Sequence, residues 1–336
     1  NLYKDNYIDK NRIYTLTKKI NENLHFKFGI KNLYHRMIFT AAALVSERYG
    51  ADLNGIKNRG YEVFRNVIRD TIQKSLEDNK KQNMKLDILM EVYIDIKMNI
   101  VENKEAINDF IDCVIEISDS VNSDNWNGED VMGIFFNEFN RYKKKSESGQ
   151  VFTPDHITSL MYKILEVNAN DKILDAACGS GAFLVKSMSN MIKEVGGINT
   201  KEAKKIKEHS LFGIEFDREI FALACANMMI HKDGKTNLEQ LDSRDKEASE
   251  WIKSKGITKV LMNPPFERKY GCKKIVENVL NSVPSGIKCA FIMPEKKMEK
   301  DKMGKLLEKH HLEAIIKLPE KLFDAGVTTS IYVFET

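Results

Sequence analysis

All six prolines of this chain, Pro154, Pro264, Pro265, Pro284, Pro294 and Pro319, lie after residue 150, while its glycines divide 7 before that point and 11 after it. Proline ends helices and glycine supplies turns, so the two parts of the chain must fold by different rules. In the first part apolar residues recur at helical spacing: Phe64, Ile68, Ile72 and Leu76 with Val67 alongside, then Val131, Phe135, Phe139 and Tyr142. This predicts an all-helical N-terminal domain over 1–148. From 149 onward short apolar runs alternate with helix-length segments, centred on Ile173, Phe212, Leu238, Val260, Ala290, Ile315 and Tyr332. That alternation is the pattern of a parallel α/β sheet. Only Pro319 to Gly326 separates the last two runs, too few residues for a crossover helix, so the last strand should run antiparallel beside the sixth. The second domain, 149–336, is therefore expected to hold a seven-stranded mixed sheet.

Composition narrows the function classes. With 42% hydrophobic and 30% charged residues in 336, the chain can bury real cores and is not a disordered polymer. Lys+Arg 52 against Asp+Glu 49 leaves a net charge of +3, so a polyanionic partner is not announced by charge alone. No apolar run is long enough to span a bilayer, and the first residues form no leader peptide, so neither a membrane protein nor a secreted one is expected. The five cysteines hold no CxxC pair and the seven histidines no HExxH set; no disulfide scaffold and no metal site are expected. The chain starts without Met and stops at Thr336 inside a predicted strand, which reads as a trimmed fragment. Three charged stretches read as solvated helix faces or ends: Arg141 with Lys143, Lys144 and Lys145; Lys193 to Glu208; and Lys296, Lys297, Lys300, Lys302 and Lys305 diluted by Glu295, Glu299 and Asp301.

The chemistry lies at strand ends. Ile173 to Leu184 reads as strand, glycine turn and helix start, with Gly179 and Gly181 allowing close backbone approach and Ser180 and Ala182 beside them. A dinucleotide fingerprint would need a third small residue at 184, which is Leu. Asp175, before the turn, favours a ligand with an ammonium group over a pyrophosphate. Glu215 ends the second strand and can accept both hydroxyls of a ribose; the alternative, an ordinary helix N-cap, fits Asp217 better than Glu215. Asp242 ends the third and can accept from an adenine amino group or cap the next segment. The fourth strand runs into Asn263, Pro264, Pro265 and Phe266. Two prolines hold the backbone extended there, so an amide oxygen and a neighbouring carbonyl form paired acceptors beside a ring. That arrangement suits a planar amine.

Those residues, with Gly149-Gln150-Val151-Phe152-Thr153-Pro154 upstream, resemble the amino-methyltransferases of DNA, and within them the methylation subunit of type I restriction-modification systems and its N6-adenine relatives. The resemblance covers about residues 127–336. It implies a Rossmann-like S-adenosylmethionine-dependent methyltransferase fold, preceded here by the helical domain, and a prokaryotic cytoplasmic enzyme that methylates the N6 amine of adenine in DNA. In that family's arrangement Gln150, Val151, Phe152, Thr153, Pro154 and Asp155 with Ser180, Gly181 and Ala182 would surround the methionine part of S-adenosylmethionine, Glu215 would hold its ribose and Asp242 its adenine. Asn263 and Pro264 would accept hydrogen bonds from the target amine, Pro265 would stiffen the motif, and Phe266 would stack on a base flipped out of double-stranded DNA. Ala176 departs from the family's more usual Pro. No target-recognition region follows Phe334, so a specificity subunit or a C-terminal recognition region would supply sequence choice, with a restriction subunit as a further partner. The loop holding Arg268, Lys269, Lys273 and Lys274 is expected at DNA phosphates. Asn-Pro-Pro-aromatic also occurs in RNA and protein glutamine methyltransferases, and a helical domain can serve as an assembly module; both remain alternatives.

Overall fold

The structure, a computed structural model, describes residues 10–78, 83–99, 102–123, 130–140, 152–231, 237–267, 269, 271–320, 322–323 and 327–336. Tyr142, the basic run Arg141 to Lys145, Gln150, Val151 and Arg268 lie outside these residues.

The first part is helical. α1 (Lys10–Glu22) continues into a π-helical turn (Asn23–Lys27), followed by α2 (Leu33–Arg48), α3 (Tyr61–Asp78), α4 (Asn83–Asp95), α5 (Lys104–Asn122) and α6 (Val131–Phe139). Asn32 starts α2 by accepting from Tyr34 N and His35 N at 2.7 and 3.1 Å, and Asn103 does the same for α5 with Glu105 N and Ala106 N, which satisfies donors the helix cannot. The expected apolar stripe of α3 is buried at Phe64, Ile68 and Ile72. Phe64 meets Phe28, Phe39 and Phe110 at ring-centroid distances of 5.7–6.2 Å, a cluster of the offset and edge contacts aromatic rings prefer.

One cation sits inside this unit. Arg36 is 0% exposed. Its guanidinium donates to Asn21 Oδ1 at 2.9 Å, Ile30 O at 3.0 Å, Lys31 O at 2.8 Å and Phe139 O at 3.1 Å. A buried charge is tolerated only when its donors are met in this way.

The second part carries α7 (Asp155–Ile164), β1 (Ile173–Asp175), α8 (Ala182–Glu194), α9 (Lys201–His209), β2 (Leu211–Ile214), α10 (Arg218–Ile230), β3 (Asn237–Glu239), α11 (Lys246–Lys253), β4 (Lys259–Met262), α12 (Cys272–Leu280), β5 (Lys288–Pro294), α13 (Lys300–Leu307), β6 (His311–Lys317) and β7 (Thr329–Glu335). The seven strands form one sheet in the order β3-β2-β1-β4-β5-β7-β6. β1 to β5 pair in parallel, and β7 runs antiparallel between β5 and β6. The antiparallel seventh strand expected from the short Pro319–Gly326 connection is thus present, inserted between its two neighbours. Leu174, Phe212, Ile214, Val260, Met262, Cys289, Phe291, Met293, Tyr332 and Phe334 share one core with residues of α11, α12 and α13. Alternate strand residues face one side of the sheet, which explains the period of two. The stretch Lys193–Glu208, expected as one helix, is two: Gly196 and Gly197 hold φ of 87° and 107°, conformations that end α8.

By contacts the chain divides into two compact units, residues 1–147 with 218–235, and residues 148–217 with 236–336. α10 therefore groups with the helices of the first part, whereas its place between two strands predicts a helix of the sheet domain. Every residue from Ile220 to Ile230 is buried, and a helix apolar on all sides needs partners on all sides; α2, α4 and α6 are among them. Among the described residues no helix is long and apolar enough to cross a membrane.

Gly213 in β2 marks the tightest packing near the glycine turn. A Cβ there would lie 2.6 Å from Leu238 Cδ2, 2.8 Å from Leu184 Cδ1 and 3.2 Å from Cys178 Sγ. Gly213→Ala is expected to cost about 1–3 kcal/mol, read as a lower unfolding midpoint in denaturant; an unchanged midpoint would show that the two leucine ends move aside freely.

Candidate active site

The parallel strands end on one side of the sheet, and Phe152, Thr153, Asp175, Glu215, Asp242 and Asn263 gather there. β1 delivers Asp175 to the glycine turn. Gly179 and Gly181 adopt φ of 55° and 93°, the left-handed region that only glycine enters without strain, and Gly181 caps α8. The turn is tied by Cys178 N donating to Ile214 O at 2.9 Å and Gly181 N to Cys178 O at 2.8 Å.

Two acids meet at this turn. Asp175 is 1% exposed and accepts from Ala177 N at 3.1 Å. Burial pushes its carboxyl up to about 8; the Ala177 N–H opposes the rise and the charge of Glu215 adds to it. Glu215 accepts from Gly179 N at 3.0 Å on one oxygen and from Asp217 N at 2.9 Å on the other. Burial pushes it up to about 7 against the pull of those N–H groups. The Phe216 N–H is a third donor to this carboxylate, which leaves room for about one further hydrogen bond.

Two cavities adjoin along the strand ends. The larger opens to solvent and is lined by Gly179, Glu215, Phe216, Asp242, Arg244 and Pro264 among others. The smaller is lined by Phe152, Thr153, Asp175, Ser180, Ala182 and Asn263 among others. Asn263 links the segments: its Nδ2 donates to Thr153 Oγ1 at 3.0 Å, so the motif after β4 is fastened to the segment before α7. Its Oδ1 is buried and has no partner. Buried polar atoms are nearly always paired, so an orphan acceptor points to an absent donor. Beyond the two prolines the Phe266 ring stands edge-on to buried Phe323, with centroids 5.6 Å apart and planes at 77°.

Asp242 is engaged rather than open. It accepts from Arg244 N at 2.9 Å and from Arg244 Nε at 2.8 Å, with Nη2 on its second oxygen. The guanidinium beside it holds its carboxyl below the usual range. Nε reaches the second oxygen as well, at 3.1 Å, so each oxygen already holds two donors, and an adenine amine would have to displace one of them.

Of the other expected residues, Phe152 and Thr153 line the smaller cavity. The Pro154 carbonyl starts α7 by accepting from Ile157 N at 2.9 Å and Thr158 N at 3.1 Å. Asp155 is exposed, pairs with Lys186 at 3.1 Å and is absent from the lining of both cavities. Four residues are given no place in the site by their sequence. Phe216 is 57% exposed and lines the larger cavity; an aromatic directly after a strand-end acid is the available signal. Arg244 and Phe323 carry no such signal. Lys297, expected on a solvated helix face, lies instead in a 3-10 turn (Glu295–Lys297) at the end of β5, before α13, and donates to Phe266 O.

Residues 127–288 match the N-6 DNA Methylase family. Over 236 residues the chain is 33% identical to the type II restriction enzyme and methyltransferase RM.BcgI of Heyndrickxia coagulans, covering 66% of this chain and 36% of that one. Among solved structures, the type I restriction-modification system methyltransferase subunit of Streptococcus thermophilus aligns with a TM-score of 0.60 at 16% identity, over 96% of this chain and 84% of that one. A class I S-adenosylmethionine-dependent methyltransferase of Listeria monocytogenes aligns with a TM-score of 0.51 at 15% identity, over 91% and 88%. The last two show the fold alone. The chain spans between 35% and 42% of the length of the first curated relatives it matches.

Proposed function

We propose that this chain, which carries an N-6 DNA methylase domain, transfers a methyl group from S-adenosylmethionine to the N6 amine of adenine in DNA. The observation that carries the reading is the buried, unpartnered Asn263 Oδ1, an acceptor whose missing donor an exocyclic amine would supply.

The residues fit the cofactor. Glu215 is a strand-end carboxylate lining the larger cavity with acceptor room left for a ribose hydroxyl, Phe216 offers an exposed ring face beside it, and Asp175 is a buried acid where positive charge would be welcome. When bound, S-adenosylmethionine supplies a methyl group on a positively charged sulfur. Transfer is then an in-line displacement, which needs alignment more than acid or base strength. Asn263 Oδ1 and the Pro264 carbonyl would hold the amine by its two protons and favour the positive charge that grows on its nitrogen. Thr153 fixes the Asn263 amide so that Nδ2 is occupied and Oδ1 faces the amine. Because the amine is inaccessible in a stacked duplex, the base must leave the helix, and Phe266 offers it a stacking surface.

Sequence choice would come from a specificity subunit or a C-terminal recognition region, and a restriction subunit would be a further partner. RM.BcgI bears both restriction and methyltransferase in its name, which supports a place in a restriction-modification system. Lys269 in the loop after Phe266, with Lys273 and Lys274, which lie not in that loop but in the first turn of α12, would meet phosphates, and salt would weaken DNA binding accordingly.

The two raised acids make a pH prediction. Both carboxyls lie above their unfolded values, so each holds its proton until pH passes about 8 for Asp175 and about 7 for Glu215. The charged forms attract a sulfonium and the neutral forms do not. Affinity for S-adenosylmethionine should therefore rise with pH and level off once both have ionised, and Asp175→Asn should remove the upper part of the rise. Calorimetric titration of the cofactor across this range checks it; a flat profile for the unaltered protein would contradict the assignment.

A further inference from the structure

The Asn-Pro-Pro-Phe segment is only partly stiffened by its prolines. They restrict the backbone as far as residue 265, but nothing in the motif sets the rotation after the Cα of Phe266, and that rotation carries the chain into the loop before α12. The direction of the Phe266 carbonyl reports it. That carbonyl accepts from Lys297 Nζ, and the same ammonium reaches Cys272 Sγ at 3.3 Å. Cys272 is the first residue of α12 and is fully buried. One cation thus touches both ends of the loop that follows the target motif.

Lys297 is itself held rigidly. Glu295 N donates to Thr328 O at 3.0 Å, Met298 N to Glu295 O at 3.0 Å, and Ser330 Oγ to Glu295 Oε1 at 2.8 Å. Met298 is 2% exposed. The turn that presents Lys297 is therefore pinned to β7 and to the core. The Phe266 ring meets buried Phe323 edge-on, so the ring is held on one side by Phe323 while Lys297 holds the carbonyl that follows it.

We infer that Lys297 is a positioning residue for the target base: its ammonium, bound to the Phe266 carbonyl and the Cys272 sulfur, ties the backbone that carries Phe266 to the start of α12 and so keeps the Asn-Pro-Pro-Phe segment in place under the base. The inference rests on the function proposed above. It separates Lys297 from its exposed neighbour Lys296, although sequence places both in one charged run.

The full-length gene product, purified with whatever subunits accompany it, would be assayed with radiolabelled S-adenosylmethionine on unmethylated genomic DNA fragments, as Lys297→Met, Lys297→Arg and Lys296→Met. Misplacing a reacting group by about 1 Å can cost a factor of about 100, so Lys297→Met is expected to lower kcat by about ten- to a hundredfold. Cofactor affinity and melting temperature should stay at wild-type values, Lys297→Arg should recover part of kcat, and Lys296→Met should leave kcat unchanged. Wild-type kcat in Lys297→Met would overturn the inference alone. So would a loss matched by an equal loss of cofactor affinity and of melting temperature, because that is a general structural defect. No methyl transfer to DNA adenine by the unaltered protein would instead overturn the proposed function, and the inference with it.

Discussion

Asn263→Ala is expected to lower methyl transfer at least about a thousandfold while lowering S-adenosylmethionine affinity by no more than about tenfold, as removal of a single group aimed at developing charge costs about 10²–10³ in other active sites and loss of one ordinary hydrogen bond about 0.5–1.5 kcal/mol. Two features raise the expectation here. The Oδ1 atom is buried without a partner, so the protein already bears a desolvation cost of about 1–3 kcal/mol for an acceptor unused in its own fold. Nδ2 is committed to Thr153, so the substitution also frees the Phe152–Thr153 segment. Asn263→Asp separates these effects, since it keeps an acceptor and loses the donor to Thr153. Single-turnover rates with calorimetry of the cofactor decide the matter. Near-normal transfer by Asn263→Ala would remove the basis for the reading of the site.

The largest effect on stability is expected at Arg36. Arg36→Met would leave Asn21 Oδ1 and the carbonyls of Ile30, Lys31 and Phe139 without their donor in a fully buried site. Each orphaned acceptor costs about 1–3 kcal/mol, offset in part by no longer burying a charge. A net loss of at least about 3 kcal/mol is expected, visible as a lower unfolding midpoint of the full chain. Arg36→Lys keeps the charge but cannot span four acceptors from one planar group, so it should fall between. Arg12 provides the contrast: it forks onto Glu116, but the two side chains are 49% and 42% exposed. Arg12→Met should cost no more than about 1 kcal/mol. Equal midpoints for Arg36→Met and Arg12→Met would contradict the role given to Arg36 in the helical core.

The sheet could be read from the sequence because its strands are short apolar runs bounded by helix-length segments, and the seventh strand because Pro319 to Gly326 is too short to cross over. α10 escapes that reading: its position between β2 and β3 assigns it to the sheet domain, whereas its apolar residues on every side demand the helical partners it has. Local pattern carries no information on which distant helices a buried helix meets. The same limit separates the parts of the site. Asp175, Glu215 and Asn263 could be singled out because acids end three consecutive strands and an Asn-Pro-Pro-aromatic run ends the fourth. Arg244 and Lys297 reach main-chain carbonyls in other segments, the first that of Lys269 beside its local hold on Asp242, the second that of Phe266. Nothing in a run of lysines distinguishes the member that turns inward, and the 3-10 turn that directs Lys297 depends on Thr328 and Ser330, about thirty residues further along the chain.

Whether DNA adenine receives the methyl group is decided by modified-base sequencing of the native host's genome, with the intact gene and with its Asn263→Ala allele. Loss of N6-methyladenine from one sequence motif in the variant is the expected result and would supply the recognition sequence at the same time. An unchanged methylation pattern in both strains would contradict DNA adenine as the substrate and shift the amine acceptor to RNA or protein.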